Sequence, residues 1–225
     1  MSVSMSAAVT LGLLILLSAR LKEQVSEGCS CAPAHPQQMF CRSEIVMQAE
    51  VTGENIHSNE SYLVTGSTYI QYEIQVIKVF KGFDRIKRMQ HVYTNDESSL
   101  CGKPLDRGQY LLSGTIMSDG IIFSLCDDVR LWDDLSLIEK KNIKYRFPMG
   151  CNCTISLCLE KTCQPSTKDE CILTNLTNIW ELRYREPMHD SVCIRHRNGT
   201  CVWYGGTNKP SENDTMDVFD GQEHE

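Results

Sequence analysis

Hydrophobic positions follow three different patterns along the chain. The first is one short continuous run. Residues 11–17 are apolar but for one glycine, and residues 7–9 extend the run. It is too short to cross a bilayer and has the length of a secretion-signal core. Ser26 and Gly28 supply small residues at the −3 and −1 positions of a cut before Cys29. No Lys or Arg precedes the core, which leaves an uncleaved anchor as the competing reading, but residues 22–28 read as a processing region. No later stretch is apolar enough for a membrane span.

The second pattern is alternation with a period of two, which predicts strands. Residues 44–51, 69–80, 86–93, 109–113 and 121–125 carry it, most strongly in the run YIQYEIQVIKVF from Tyr69 to Phe80. Asp119-Gly120 is a hairpin signal between the last two. Five strands in about a hundred residues predict a small closed barrel. Residues 136–146 then read as a short helix ending before Pro148, with Asp133 or Asp134 near its N-terminus.

The third pattern begins after Cys151, where cysteines replace apolar periodicity. Six of them lie between Cys153 and Cys201, so this segment is expected to rest on staples more than on a core. Asn198-Gly199 is a turn candidate between Cys193 and Cys201, and residues 175–185 are a helix candidate. There is no internal repeat. The organisation read from these patterns is a signal peptide at 1–28, a barrel domain at 29–151, a disulfide-rich domain at 152–210 and an acidic tail at 211–225.

All twelve cysteines lie at or after Cys29. An even, dense set behind a secretion signal reads as a disulfide framework in an oxidising compartment. The competing reading, a zinc cluster such as Cys153-x4-Cys158-x4-Cys163, lacks the paired C-x2-C knuckles of zinc ribbons. Spacing leaves the connectivity open among about ten thousand pairings.

A formal net charge of −7 argues against nucleic acid as a partner. The charge is uneven: residues 211–225 hold six acidic side chains and no Lys or Arg. Such a tail is either a solvated end or an arm for a basic partner. The solvated end is the first reading; Met216, Val218 and Phe219, which a purely solubilising tail would not need, keep the arm open. Catalysis is not expected. The six histidines are scattered, no H-E-x-x-H, G-x-S-x-G or phosphate loop is present, and an even set of bridged cysteines leaves no thiol nucleophile. Asp133-Asp134 before a helix reads as a cap rather than a catalytic pair.

The cut before Cys29 gives Cys29-Ser30-Cys31 its chemistry. It leaves a free α-amine beside the carbonyl of the same residue, which is a bidentate metal-chelating end. The run Cys29-Ser30-Cys31-Ala32-Pro33-Ala34-His35-Pro36-Gln37-Gln38, with Cys41 following, resembles the mature N-terminus of the tissue inhibitors of metalloproteinases. Gln71-Tyr72-Glu73-Ile74 and Val79-Phe80-Lys81-Gly82-Phe83 resemble that family's second strand. Ser98-Ser99-Leu100-Cys101-Gly102 resembles the loop beside its reactive edge, and Trp132-Asp133-Asp134-Leu135-Ser136 the run before its helix. Asp169-Glu170-Cys171 and Cys201-Val202-Trp203-Tyr204 fit its C-terminal half. The opening and the acidic tail are most similar to the second and fourth vertebrate members.

The resemblance implies a mainly β protein with short helices: a five-stranded barrel of the oligonucleotide-binding (OB-fold), netrin-like type, followed by a small disulfide-rich subdomain. It implies the bridges Cys29–Cys101, Cys31–Cys126, Cys41–Cys151, Cys153–Cys201, Cys158–Cys163 and Cys171–Cys193. It further implies a secreted inhibitor, not an enzyme, that has no cofactor of its own and meets matrix metalloproteinases one to one in the extracellular matrix. Cys29 would bind the target's zinc through its α-amine and carbonyl, and Ser30 would enter the specificity pocket. Cys31, Ala32 and Pro33 would follow the cleft, and Ser98, Ser99 and Leu100 would fill its other side. The C-terminal domain and tail would meet a haemopexin-like domain of a progelatinase.

Some residues depart from the family pattern. Gln48 and Glu50 stand where a basic pair is usual in the first strand, and Ile172-Leu173-Thr174-Asn175 replaces a tryptophan-rich run. Asn59, Asn175, Asn198 and Asn213 are candidate glycan sites. A fifth sequon, at Asn152, sits between two bridged cysteines and is not expected to be used. Tyr62 is the alternative contact at the tip of the 52–68 loop. The other functional class left open is a netrin-like extracellular binding or signalling module without inhibition.

Overall fold

The computed structural model describes residues 28–58, 68–86, 90–117, 120–158, 163–173 and 189–205. The signal segment, Asn59, Tyr62, Asn175, Asn213, the helix expected at 175–185 and the acidic tail lie outside these residues.

Strands β1 (Ile45–Ser58), β2 (Thr68–Lys81), β3 (His91–Asn95), β4 (Gly108–Ile116) and β5 (Ile121–Ile122) close into a barrel. The order is β1-β2-β3-β5-β4, and β4 pairs back onto β1. Every pairing is antiparallel except β3 with β5. One long strand can serve both barrel edges because it coils: register shifts at Val46/Met47, Gln48/Ala49 and Val51/Gly53 bend β1 as bulges do.

The period-two pattern accounts for two cores. Ile45, Met47, Ala49 and Val51 point inward with Ile70, Tyr72, Ile74, Val92 and Leu112. Tyr72 is fully buried and its hydroxyl accepts from Leu105 N at 2.9 Å, so its one polar atom is satisfied. Val46 and Leu111 face outward into a second core with Phe40, Phe80, Leu135, Ile143, Phe147, Val192 and Ile194. That second core joins the helices and the C-terminal strands to the barrel's outer wall.

The strand expectations hold with changes at the ends. Of the expected strand at 86–93, residues 91–93 lie in β3 and residues 87–89 fall outside the described residues; that at 121–125 is a strand only over Ile121–Ile122. β4 and β5 pair antiparallel, and Met117 N donates to Gly120 O at 2.8 Å; Asp119 of the expected Asp119-Gly120 turn lies outside the described residues. Strand β6 (Arg130–Leu131), which adds to β4, was not expected. Nor was α1 (Pro36–Arg42), whose N-cap is His35.

The expected helix at 136–146 differs at both ends. It is a continuous helical run of α2 (Leu137–Lys141), a π segment (Asn142–Arg146) and α3 (Phe147–Gly150). The cap is Ser136, not Asp133 or Asp134, which sit in a preceding 3₁₀ turn. Ser136 Oγ accepts from Glu139 N and Glu139 Oε2 accepts from Ser136 N, a reciprocal capping box. Pro148 does not stop the run, because the wider π turn ahead of it accommodates a residue without an N–H.

In the C-terminal half, β7 (Thr154–Leu157) pairs in parallel with β8 (Glu170–Leu173), and β9 (Val192–Arg195) pairs antiparallel with β10 (Cys201–Tyr204). Gly199, at φ 85°, turns the Asn198-Gly199 hairpin between β9 and β10.

Glu139 also ties the helix to the barrel and to the C-terminal half. Its Oε1 accepts from Arg130 Nη1 at 2.6 Å and lies 2.9 Å from His189 Nδ1. Burial alone would raise this carboxyl. Hydrogen bonds from His189, Arg130 and Ser136, with the Arg130 charge, outweigh burial and hold it down at about 2. A depressed carboxyl stabilises the fold above its unfolded value near 4.5 and loses that contribution as pH falls toward 2. Glu139→Gln is therefore expected to flatten acid destabilisation between pH 4.5 and 2 by about 2 kcal/mol, after allowance for partial solvent screening. Urea unfolding at pH 3 and pH 6 measures it.

Candidate functional site

Residues 29–34 have no regular structure and are held from outside. Cys29 bridges to Cys101 and Cys31 to Cys126, with Cα separations of 5.0 and 5.2 Å. The Sγ atoms of Cys29, Cys101 and Cys126 lie within 4.8 Å of one another, so the two bridges stand side by side. Between them Ser30 is exposed, as is Ala32 beyond. Beneath Ala32 and Pro33 is a hollow of about 220 Å³ lined also by Met39, Leu125, Val129 and His189. The segment is thus fixed by its bridges rather than by dense packing below it.

The chain on the far side of the first bridge is equally fixed. Ser98–Leu100 form an exposed 3₁₀ turn. Leu100 N and Gly102 N donate to Glu97 O, and Cys101 N donates to Ser98 O. Glu97 N in turn donates to Asn95 Oδ1 at 2.9 Å. Cys101 stands at φ 63°, a left-handed conformation that a side chain accepts only when its surroundings impose it. At Gly102 an added Cβ would fall 2.0 Å from Asn95 O, so the turn closes only around glycine. Leu125 N donates to Cys101 O at 2.8 Å, and Arg42 Nη2 donates to Cys126 O at 2.6 Å. Three segments far apart in sequence form one ridge, with Ser30, Ser98, Ser99 and half-exposed Leu100 on its surface.

The segment is also anchored behind. His35 Nδ1 accepts from Gln37 N at 3.1 Å, which leaves the ring proton on Nε2, 3.2 Å from Ser191 Oγ. Gln37 is buried, and its amide makes three bonds across the molecule. Nε2 donates to Gly150 O at 2.9 Å and to Cys193 O at 2.7 Å, while Oε1 accepts from Cys193 N at 2.8 Å. The sequence carried a signal for this helix start, Pro36 after a side chain able to cap, but none for a partner 156 residues away.

The six disulfides are Cys29–Cys101, Cys31–Cys126, Cys41–Cys151, Cys153–Cys201, Cys158–Cys163 and Cys171–Cys193. These are the pairs the family resemblance implies. The first three span 72, 95 and 110 residues. Both cysteine triads close enough to suggest a metal, Cys29/Cys101/Cys126 and Cys153/Cys193/Cys201, consist of bridged residues and offer no thiolate.

Of the other residues singled out, Gln48 Nε2 donates to Gln109 Oε1 at 3.1 Å and Glu50 is half-buried. In the segment replacing the tryptophan-rich run, Ile172 O accepts from Trp203 Nε1 at 2.8 Å and Leu173 is buried. Asn198 and Asn152 are exposed. Among the described residues, no helix is long and apolar enough to cross a membrane.

A family model described as tissue inhibitor of metalloproteinase matches residues 27–203. Metalloproteinase inhibitor 4 of Mus musculus is 40% identical over 184 residues, covering 80% of this chain and 82% of that protein. Metalloproteinase inhibitor 2 of Gallus gallus is 36% identical over 213 residues, covering 92% and 94%. Metalloproteinase inhibitor 3 of Scyliorhinus torazame is 34% identical over 209 residues, covering 92% and 95%. With its closed barrel, its six bridges and a match that takes in the whole ridge, the chain belongs to the tissue inhibitor of metalloproteinase family, a family of inhibitors rather than enzymes.

Proposed function

We propose that the secreted chain, once cut after Gly28, inhibits zinc metalloendopeptidases by chelating their catalytic zinc through Cys29. The observation that carries this reading is the pair of adjacent bridges that fix Cys29 and Cys31 on an exposed ridge. A catalytic zinc keeps one position open for water. The α-amine nitrogen and carbonyl oxygen of one residue close a five-membered chelate that takes that position. Before the cut, the Cys29 nitrogen is an amide joined to Gly28, and its lone pair is delocalised into the carbonyl. The cut makes it a ligand.

In this reading Ser30 enters the specificity pocket, and Ala32 and Pro33 follow the cleft as substrate would. Ser98, Ser99 and Leu100 fill the opposite side, held in register by the Cys29–Cys101 bridge. A ridge fixed before docking loses little conformational entropy on binding. The targets are matrix metalloproteinases met one to one outside the cell. The C-terminal half and the tail serve a second contact, the haemopexin-like domain of a progelatinase. Asn59, Asn175, Asn198 and Asn213 are its candidate glycan sites.

Two measurements test the mechanism together. N-terminal sequencing of the secreted protein should read Cys29 first. A free α-amine titrates near 8, and only its neutral form binds zinc. Inhibition is therefore expected to weaken by up to about tenfold per pH unit below about 7. Full inhibition by a chain whose first residue is not Cys29, or a flat pH profile, overturns the chelation.

A further inference from the structure

We propose that Asn152 carries an N-linked glycan, and that it is occupied ahead of its neighbour Asn198. The inference rests on the secretion proposed for this chain, because such sugars are added to chains that enter the secretory pathway.

Two acceptor motifs meet at one corner of the C-terminal half. Asn152-Cys153-Thr154 leads into β7, and Asn198-Gly199-Thr200 forms the hairpin between β9 and β10. One guanidinium joins them: Arg195 Nη2 donates to Asn152 O at 2.9 Å, and Arg195 Nη1 to Gly199 O at 2.7 Å.

The side chains of the two motifs are in different states. Asn152 and Thr154 are both exposed, and neither side chain is held by a hydrogen bond among the described residues. The amide and the hydroxyl of this motif are therefore both accessible. At Asn198 the amide is committed. Its Oδ1 accepts from Thr200 N at 2.9 Å, a turn closed by the side chain, and Thr200 is half-buried.

The bridges separate the two motifs further. Cys153, the middle residue of the first, is joined to Cys201, which directly follows the second. The first motif enters the secretory lumen 48 residues ahead of Cys201, so that bridge cannot yet exist. Cys201, in contrast, arrives with Cys153 already present, and the bridge can close at once beside Thr200. The other flanking bridge, Cys41–Cys151, leaves Asn152 exposed even when closed. The neighbouring cysteines thus weigh against Asn198, not against Asn152.

The step is a glycosyl transfer. The Asn152 amide nitrogen bonds to C1 of an oligosaccharide carried on a lipid diphosphate. The C1–O bond breaks, the lipid diphosphate leaves with the electron pair, and the nitrogen gives up a proton. Thr154 supplies the hydroxyl that the motif requires. The sugar covers this corner and withholds it from protein partners.

Glycopeptide mass spectrometry of the full chain, secreted by a glycosylating eukaryotic cell, tests the proposal. Asn152 should carry sugar in most molecules, severalfold more often than Asn198. Thr154→Ala should remove that sugar and one glycan step in gel mobility, and Thr154→Ser should restore both. Reductant supplied during synthesis should raise occupancy at Asn198 in the intracellular chain and leave Asn152 unchanged. A secreted chain that begins at Cys29 with Asn152 bare overturns the proposal while the secretion reading stands. Occupancy at Asn198 equal to or above that at Asn152 overturns the order. A chain kept in the cytosol with no sugar on any asparagine overturns the secretion reading and the proposal with it.

Discussion

One alanine added ahead of Cys29 is expected to cost the mature protein about a thousandfold in inhibition, equivalent to about 4 kcal/mol, while leaving its thermal midpoint unchanged. The added residue turns the Cys29 nitrogen back into an amide and, in the proposed mechanism, would remove one of the two zinc ligands. It also inserts atoms where the enzyme's zinc would sit. The fold has no stake in it, because Gly28, the residue now at that position, is exposed and neither bridge is touched. Titration of the extended and unextended proteins against one matrix metalloproteinase, with parallel melting curves, separates the two effects. Equal potency would remove the chelation mechanism. Equal loss of potency and stability would mean that the terminus supports the fold instead.

The second large effect is expected at Gln37. Replacing it with leucine keeps the volume nearly constant but strands two buried backbone groups, Cys193 O and Cys193 N, and takes from Gly150 O one of its two donors, leaving Cys153 N. Each unpaired buried group costs about 1–3 kcal/mol, so a loss of about 4 kcal/mol and roughly 10 °C in Tm is expected for a chain of this size. Hydrogen exchange should show the Cys193 amide losing protection first. Gln48→Leu is the control, since it breaks only an exposed side-chain bond to Gln109 and should cost under about 0.5 kcal/mol. A melting curve for Gln37→Leu that matches the control's would show that the two halves are joined elsewhere.

These two sites differ in how far the sequence disclosed them. The anchoring of residues 29–34 was legible through the family resemblance, which implies the Cys29–Cys101 and Cys31–Cys126 bridges that hold them. The barrel was legible because strands such as β2 carry their burial in a period-two pattern. Gln37 was not legible, since a glutamine near a helix start reads as surface until its partner 156 residues away is known. Ser136-Leu137-Ile138-Glu139 carries a capping-box signature, and it outweighs an aspartate pair whose backbone is committed to a 3₁₀ turn. Strands β6, β7 and β8 are two to four residues long. They are too short to carry a period, and the last two are set by the bridges around them. The turn at Glu97–Gly102 depends on Cys101 holding a left-handed backbone, which nothing in the residue type announces.

The spans of the first three bridges also set a timetable for synthesis. A ribosome adds about 5–20 residues per second. Cys29 waits for a partner 72 residues later, Cys31 for one 95 later and Cys41 for one 110 later. For several seconds three thiols at the front of each new chain have no correct partner, and any pairing made among them must be undone by exchange. Folding of this chain is therefore expected to be paced by thiol–disulfide exchange and to be speeded by a disulfide isomerase.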